Sequence, residues 1–184
     1  YLAALERRGE LDRTLVVFSS DHGDMLGDHG LWGKRAPYQA SVSVPLVLRG
    51  PGVRRGAIHR GAVSTLDLTA TFLDFAGARA LPEMDCRSLR PLLAAGGAHA
   101  ATYATSGYGN WRLATDGRFK LIRGFDPTAP ASKEDDDYDD ASSAGAGELP
   151  LVLFDLDNDP RETTNVAAHH PDVVARLTSR LPVA

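Results

Sequence analysis

The sequence predicts an α/β fold in its first part, followed by a small antiparallel sheet and a closing helix. Residues 14–20 and 44–49 are continuous apolar and β-branched runs, a pattern that favours strands buried on both faces of a parallel sheet. The later apolar runs are short and separated by turn residues, which is typical of antiparallel strands. A chain of 184 residues with 43% hydrophobic residues is long enough to bury a core.

The first part has clear element boundaries. Residues 1–9 predict a helix ending near Gly9, and the strand at 44–49 stops at a Gly-Pro-Gly turn. Ser64 and Asp67 form a Ser-x-x-Asp capping box that opens a helix, for which Gly77 is the natural stop. A stretch rich in Pro, Gly and Ala then separates this part from the short strand-like runs that follow. We therefore predict two domains, 1–100 and 101–184.

The second part predicts strands at residues 102–106, 111–115, 119–123 and 151–155. Asp116-Gly117 joins the middle two as a hairpin. Pro171 opens a last helix, which carries apolar residues on one face. Residues 133–140 hold six of the acidic residues of a chain whose net charge is −4. Such a run is typical of a solvated loop, and we assign it no function.

Composition excludes several classes of protein. A single cysteine rules out an internal disulfide framework, and no Cys/His spacing matches a structural zinc module. No apolar run approaches the ~20 residues that span a bilayer. Basic residues do not alternate with aromatic ones, so we expect no nucleic-acid partner. The sequence starts within a helical pattern and without Met, so we expect a piece of a longer protein and assign neither compartment nor oligomeric state.

One cluster of residues indicates chemistry. Five of the ten residues 21–30 are Asp or His, and Asp21 and His22 directly follow the first strand. Ligands of open α/β sheets bind at the carboxyl ends of strands, and a bound cation would offset the desolvation of these two side chains. The alternative is an ordinary polar loop with a turn at Asp21. Lys34 follows between Gly33 and Pro37, where it either presents its ammonium to an anion or is simply solvated.

Residues 14–34, with their Ser-Asp-His-Gly and Gly-Lys segments, resemble the type I sulfatases of the alkaline-phosphatase superfamily. Further resemblance in the same order lies in residues 44–52, 66–77 and 154–165. The resemblance implies the C-terminal part of an alkaline-phosphatase-like sandwich, with its small antiparallel sheet and closing helix. It implies a sulfuric ester hydrolase that acts on a small-molecule or glycan sulfate ester.

The resemblance also implies roles for four residues. Asp21 is expected as a carboxylate ligand of a divalent cation, and His22 holds the adjacent ligand position. Lys34 matches the lysine that binds the sulfate group, and His29 lies near it, behind the ligands or beside the substrate. Ca²⁺ is the expected cation, with Mn²⁺ or Zn²⁺ as alternatives because imidazole suits those ions better.

The formylglycine nucleophile of such enzymes comes from a Cys/Ser-x-Pro-x-Arg motif, which does not occur in the 184 residues. Cys86 has an arginine at the right spacing but Ser88 in place of proline, so we interpret it as a decoy. We therefore expect the nucleophile outside this chain, and the chain alone to be inactive. Two alternatives stay open: a phosphonate monoester hydrolase or phosphodiesterase of the same superfamily, and a catalytically inactive remnant.

Two residues near the lysine depart from the family's pattern. Gln39 stands where the family mostly has Glu, and Ser43 where Arg is frequent. Both follow Lys34 closely, so the departure bears on how that lysine is supported or oriented.

Overall fold

A computed structural model describes residues 1–94, 103–126 and 151–182. The chain divides into two compact units. Unit 1 comprises Tyr1–Asp21 with Pro45–Ala101, and unit 2 comprises His22–Val44 with Thr102–Ala184. The acidic residues 133–140 lie outside the described residues, and the division at residue 100 stays a prediction.

The bounds of the elements follow in chain order. The helices are α1 (Leu2–Arg7), α2 (Gln39–Val42), α3 (Asp67–Phe75), α4 (Arg90–Leu93) and α5 (Pro171–Thr178). The strands are β1 (Val16–Phe18), β2 (Val47–Arg49), β3 (Ala104–Tyr108), β4 (Trp111–Thr115), β5 (Phe119–Arg123) and β6 (Val152–Asp155). Among the described residues, no helix combines the length and the apolar character needed to cross a bilayer.

The two strands of unit 1 correct one expectation. β1 pairs with β2 in antiparallel register, with Val17 opposite Leu48, so a parallel pairing is wrong for these strands. Burial on both faces is wrong as well, because Phe18 is 64% exposed. An apolar run predicts a strand but fixes neither the direction of its partner nor the number of its faces that are covered.

Helix α3 begins and ends as its local sequence predicts. Ser64 Oγ accepts from the Leu66 amide at 3.2 Å, and Asp67 Oδ2 accepts from the Ser64 amide at 3.0 Å, which is the reciprocal bonding of a capping box. The helix ends at Phe75, two residues before Gly77, whose φ of 70° is the left-handed conformation that glycine adopts readily.

Unit 2 is built on an antiparallel sheet with strand order β3-β4-β5-β6. The predicted hairpin is confirmed: β4 and β5 have the expected bounds, with Asp116 and Gly117 between them. β3 lies about two residues later than predicted, and β6 ends at Asp155, where the chain enters a turn.

Both faces of this sheet are covered, which explains why residues of β4, β5 and β6 are almost all buried. On one face Leu113 and Ile122 join a cluster with Met25 and Tyr38 from the segment 22–44. On the other face Ala114, Leu121 and Leu153 pack with Val173 and Leu177 of α5. The sheet therefore serves as a platform, with the segment that contains His22, His29 and Lys34 on one side and the closing helix on the other.

Candidate functional site

The predicted metal residues follow the end of β1. Asp21 is exposed, and its Oδ1 accepts from Ser20 Oγ at 3.4 Å. Asp21 is the last residue of its segment in unit 1, and His22 is the first residue of unit 2. The carboxylate and the imidazole thus belong to consecutive residues after the end of β1, and their role as ligands stays a prediction.

The ring of His22 has a defined tautomer. Its Nδ1 lies 2.7 Å from the carbonyl oxygen of Gly23, and a carbonyl oxygen only accepts, so Nδ1 carries the proton. Nε2 therefore presents a lone pair, and Lys34 Nζ lies 2.8 Å from it as the donor. A backbone carbonyl that fixes the far nitrogen is the usual arrangement behind a metal-binding histidine.

Lys34 lies in residues 31–39, a loop that runs into the first residue of α2, and we name this segment the lysine loop. Its side chain is exposed, while its carbonyl oxygen accepts from Oγ of the buried Ser41 at 2.7 Å. The preceding residue, Gly33, has a φ of 74°, and its carbonyl accepts from the Met25 amide at 2.8 Å. The backbone on both sides of the lysine is therefore fixed while its ammonium points outward to solvent and to His22.

His29 occupies a strained position beside a buried aromatic ring. Its φ of 54° is left-handed, in the single turn Asp28–Gly30. Its exposed ring stacks on that of Tyr38, with centroids 3.7 Å apart and planes within 6°. Burial, together with the nearby Glu162 carboxylate, raises the pKa of the Tyr38 phenol, so this phenol stays neutral. The structure thus brings Lys34 to His22 and places His29 on Tyr38, on the same segment.

The donor set is consistent with part of a cation site. Asp21 offers a carboxylate and His22 an imidazole lone pair, a combination that Mn²⁺ and Zn²⁺ accept readily and that is less usual for Ca²⁺. Within the described ranges, no group of three or more His, Cys, Asp or Glu side chains is placed to hold a metal ion. Each of these two residues can therefore supply one ligand, and further ligands are needed to complete a site.

Several residues that support the lysine loop were missed by reasoning from sequence. Trp111 Nε1 donates to the Arg35 carbonyl at 2.7 Å, and Lys120 Nζ donates to the Pro37 carbonyl at 2.7 Å. Glu162 Oε2 accepts from the Gln39 amide at 2.6 Å and forms an ion pair with Lys120. Glu162 belongs to a stretch of family resemblance, but no local pattern connects it to the loop.

Cys86 belongs to unit 1 and is half-buried. The amide of the next residue, Arg87, donates to Asp67 Oδ1 at 3.0 Å, and Ser88 Oγ donates to Asp74 at 2.7 Å. These contacts fasten the segment to α3. They support the interpretation of Cys86-Arg87-Ser88 as part of the framework of unit 1.

Comparisons with known proteins show which family the chain resembles. A family model described as Sulfatase matches residues 1–78, which include Asp21, His22, His29 and Lys34. Arylsulfatase K of Xenopus laevis is 33% identical over 181 residues, covering 98% of this chain and 33% of the relative. The chain therefore spans about a third of the length of this curated relative.

Solved structures show the same similarity. The structure of BT4656 in complex with its substrate D-glucosamine-2-N,6-O-disulfate has a TM-score of 0.76 at 27% identity, covering 97% of this chain and 35% of that chain. The phosphonate monoester hydrolase SpPMH from Silicibacter pomeroyi has a TM-score of 0.72 at 29% identity, covering 97% and 36% respectively. The fold is thus shared with enzymes of two substrate classes.

Proposed function

Since the chain belongs to the type I sulfatases of the alkaline phosphatase superfamily, we propose that it supplies part of the sulfate and cation site of a sulfate ester hydrolase. In this proposal Lys34 binds the sulfate group, and Asp21 and His22 are two ligands of a divalent cation. His29 contributes at the substrate side of the same segment. The observation that carries the proposal is the 2.8 Å contact between Lys34 Nζ and His22 Nε2, inside the stretch that the family model matches.

The chemistry of the residues supports these roles. An ammonium beside a cation ligand places positive charge where the oxygens of a sulfate group need it. When bound, a divalent cation supplies Lewis-acid polarisation of a sulfate oxygen. The hydrogen bonds to the Lys34 and Arg35 carbonyls hold the backbone of the lysine loop in place, so less backbone entropy is lost when the ammonium contacts an anion.

The nucleophile belongs to a different part of the proposed enzyme. Sulfatases in general use formylglycine and a divalent metal, and the 184 residues contain no Cys/Ser-x-Pro-x-Arg motif from which formylglycine could form. We therefore assign the chain to binding and charge stabilisation rather than to nucleophilic attack. The identity of the cation is part of the proposal: Ca²⁺ follows from the family, while the imidazole of His22 favours Mn²⁺ or Zn²⁺.

Calorimetric titration of the chain with inorganic sulfate tests the proposal. We expect saturable binding at constant ionic strength, which Lys34→Met weakens about 10-fold or more because a charge-assisted hydrogen bond is lost. Arg123→Met is the matched control, since it removes one exposed positive charge from β5 of the same unit. Equal loss in both variants would show that sulfate responds to net charge alone, and would contradict the assignment of Lys34.

A phosphonate monoester hydrolase is the second candidate, favoured by the similarity to the enzyme from Silicibacter pomeroyi at 29% identity. Both esters present anionic non-bridging oxygens to a lysine and a cation, so the residues described here serve either one. The same titration with methylphosphonate separates the candidates. Tighter binding of sulfate supports the sulfatase, and tighter binding of methylphosphonate supports the phosphonate hydrolase. If neither anion binds, the interpretation as an inactive remnant is favoured.

A further inference from the structure

The lysine loop is anchored to unit 2 mainly through its backbone. The carbonyl oxygens of Lys34, Arg35 and Pro37 each accept a hydrogen bond at 2.7 Å, from Ser41, Trp111 and Lys120 respectively. The donors come from α2, β4 and β5. Because three elements hold consecutive parts of one loop, the position of its side chains depends on the sheet below.

The deepest of these anchors is an ion pair. The side chains of Lys120 and Glu162 are 0% and 2% exposed, and they form a salt bridge. Lys120 also donates to the Pro37 carbonyl, and Glu162 accepts from the Gln39 amide. The pair therefore holds the backbone on either side of Tyr38, whose ring carries the stacked His29.

The stability of the fold alone does not explain why the charged side chains of Lys120 and Glu162 are buried beneath the lysine loop. Burial disfavours the ammonium and lowers the pKa of Lys120, while the Glu162 carboxylate opposes that shift. A buried ion pair is often no more stabilising than well-packed apolar side chains of similar volume. What charged groups add is directional bonding to one carbonyl and one amide of the loop.

We propose that Lys120 and Glu162 are positioning residues for the site, which fix the lysine loop so that the Lys34 ammonium lies beside the His22 ring and Tyr38 supports His29. The Gln39 side chain joins the same cluster, with Oε1 3.4 Å from Lys120 Nζ. A neutral amide at this position leaves one cation and one carboxylate in the cluster. The inference deepens the proposed function, since the positioned ammonium is the one assigned to sulfate.

The test replaces the pair by apolar side chains of similar volume in the variant Lys120→Met/Glu162→Met. Nitrogen-15 NMR of the chain then reports the Lys34 ammonium and the His22 ring, and sulfate titration reports affinity. The chain has three lysines, Lys34, Lys120 and Lys133, so the ammonium signals are few and single substitutions assign them. We expect a folded variant in which the Lys34 and His22 signals move and the sulfate affinity falls about 10-fold.

Val173→Ala is the matched control, because it weakens the core on the opposite face of the same sheet without contact to the loop. It should lower the melting temperature while the Lys34, His22 and His29 signals keep their wild-type positions. Wild-type signals in the folded double variant would overturn the proposal, and so would equal displacement in Val173→Ala. Either result would reduce the pair to a general structural role.

Glu162→Gln decides the matter if the double variant does not fold. Glutamine keeps the shape and one acceptor for the Gln39 amide but removes the charge that holds Lys120. We expect the Gln39 amide and His29 ring signals to move, and unchanged signals would overturn the proposal. If the wild-type chain shows no response to sulfate, the proposed function fails. The NMR signals of His22 and Lys34 in the variants still test whether Lys120 and Glu162 position the loop.

Discussion

Lys34 Nζ lies 2.8 Å from His22 Nε2, and the Nδ1 proton of the same ring is directed at the Gly23 carbonyl. The lone pair on Nε2 accepts from one partner at a time, so the ammonium and a metal ion compete for it. We predict that Lys34→Met increases the affinity of the chain for Mn²⁺, because both a competing donor and a repelling charge are removed. Calorimetry of the variant and of Arg123→Met measures this, and equal affinity in both would contradict it.

The wild-type chain should bind divalent cations weakly. Asp21 and His22 provide two ligands, whereas Ca²⁺ takes six to eight oxygen ligands and Mn²⁺ sites also need more than two. Titration with Ca²⁺ and with Mn²⁺ should give weak or undetectable binding. Asp21→Ala should abolish any binding that the wild-type chain shows. Nanomolar affinity that depends on Asp21 would show that the chain holds a complete site.

Purified chain should not hydrolyse esters of either class. The 184 residues have no motif that could yield formylglycine, so no nucleophile of that kind is present. Assays with an aryl sulfate and with a phosphonate monoester should show no turnover above a Lys34→Met control. Turnover that Lys34→Met removes would mean that a nucleophile lies within these residues.

Gly23 is the residue at which a side chain should disturb the site most directly. A Cβ atom there would lie 2.0 Å from the Ala40 carbonyl oxygen, and the Gly23 amide donates to Ser41 O at 2.7 Å. We expect Gly23→Ala to lower the free energy of unfolding by about 1–3 kcal/mol, the usual effect of overpacking. The His22 ring signals should move with it. A variant with wild-type stability in urea denaturation would show that the backbone adjusts without loss.

Stability should fall in acid through Asp155. Hydrogen bonds from the Arg118 guanidinium, at 2.7 and 3.0 Å, hold the pKa of this carboxyl well below its ordinary value of 3.8. A pKa that is lower in the folded state adds stability that is present above 3.8 and lost as the pH falls below it. Asp155→Asn should therefore melt a few degrees lower than wild type at pH 7. The two melting temperatures should converge towards pH 2, and a constant difference across this range would contradict the assignment.

Local signals explain which elements the sequence predicted. The capping box at Ser64 and Asp67, the stop at Gly77 and the hairpin at Asp116-Gly117 each depend on residues a few positions apart, and each is confirmed. The pairing of β1 with β2 depends on residues far apart in sequence, and an apolar run alone carries no information on strand direction. The parallel expectation was wrong for that reason.

The residues of the candidate site also fall into two groups: those that the sequence identifies, and those that only the fold brings together. Residue type and family resemblance single out Asp21, His22 and Lys34, but the Lys34–His22 contact requires the loop to return on itself. The ion pair of Lys120 and Glu162 joins a strand to a turn that is distant in sequence. From sequence, a lysine in a short strand is expected to have an exposed side chain. Its complete burial is visible only in three dimensions.

Nitrogen-15 NMR of the lysine ammonium groups during a sulfate titration tests the central claim most directly. At constant ionic strength, we expect the Lys34 signal to shift saturably with sulfate, while the buried Lys120 signal stays in place. Chloride at the same ionic strength should have no comparable effect. A Lys34 signal that responds to sulfate and chloride alike would contradict the assignment of this lysine to a sulfate site.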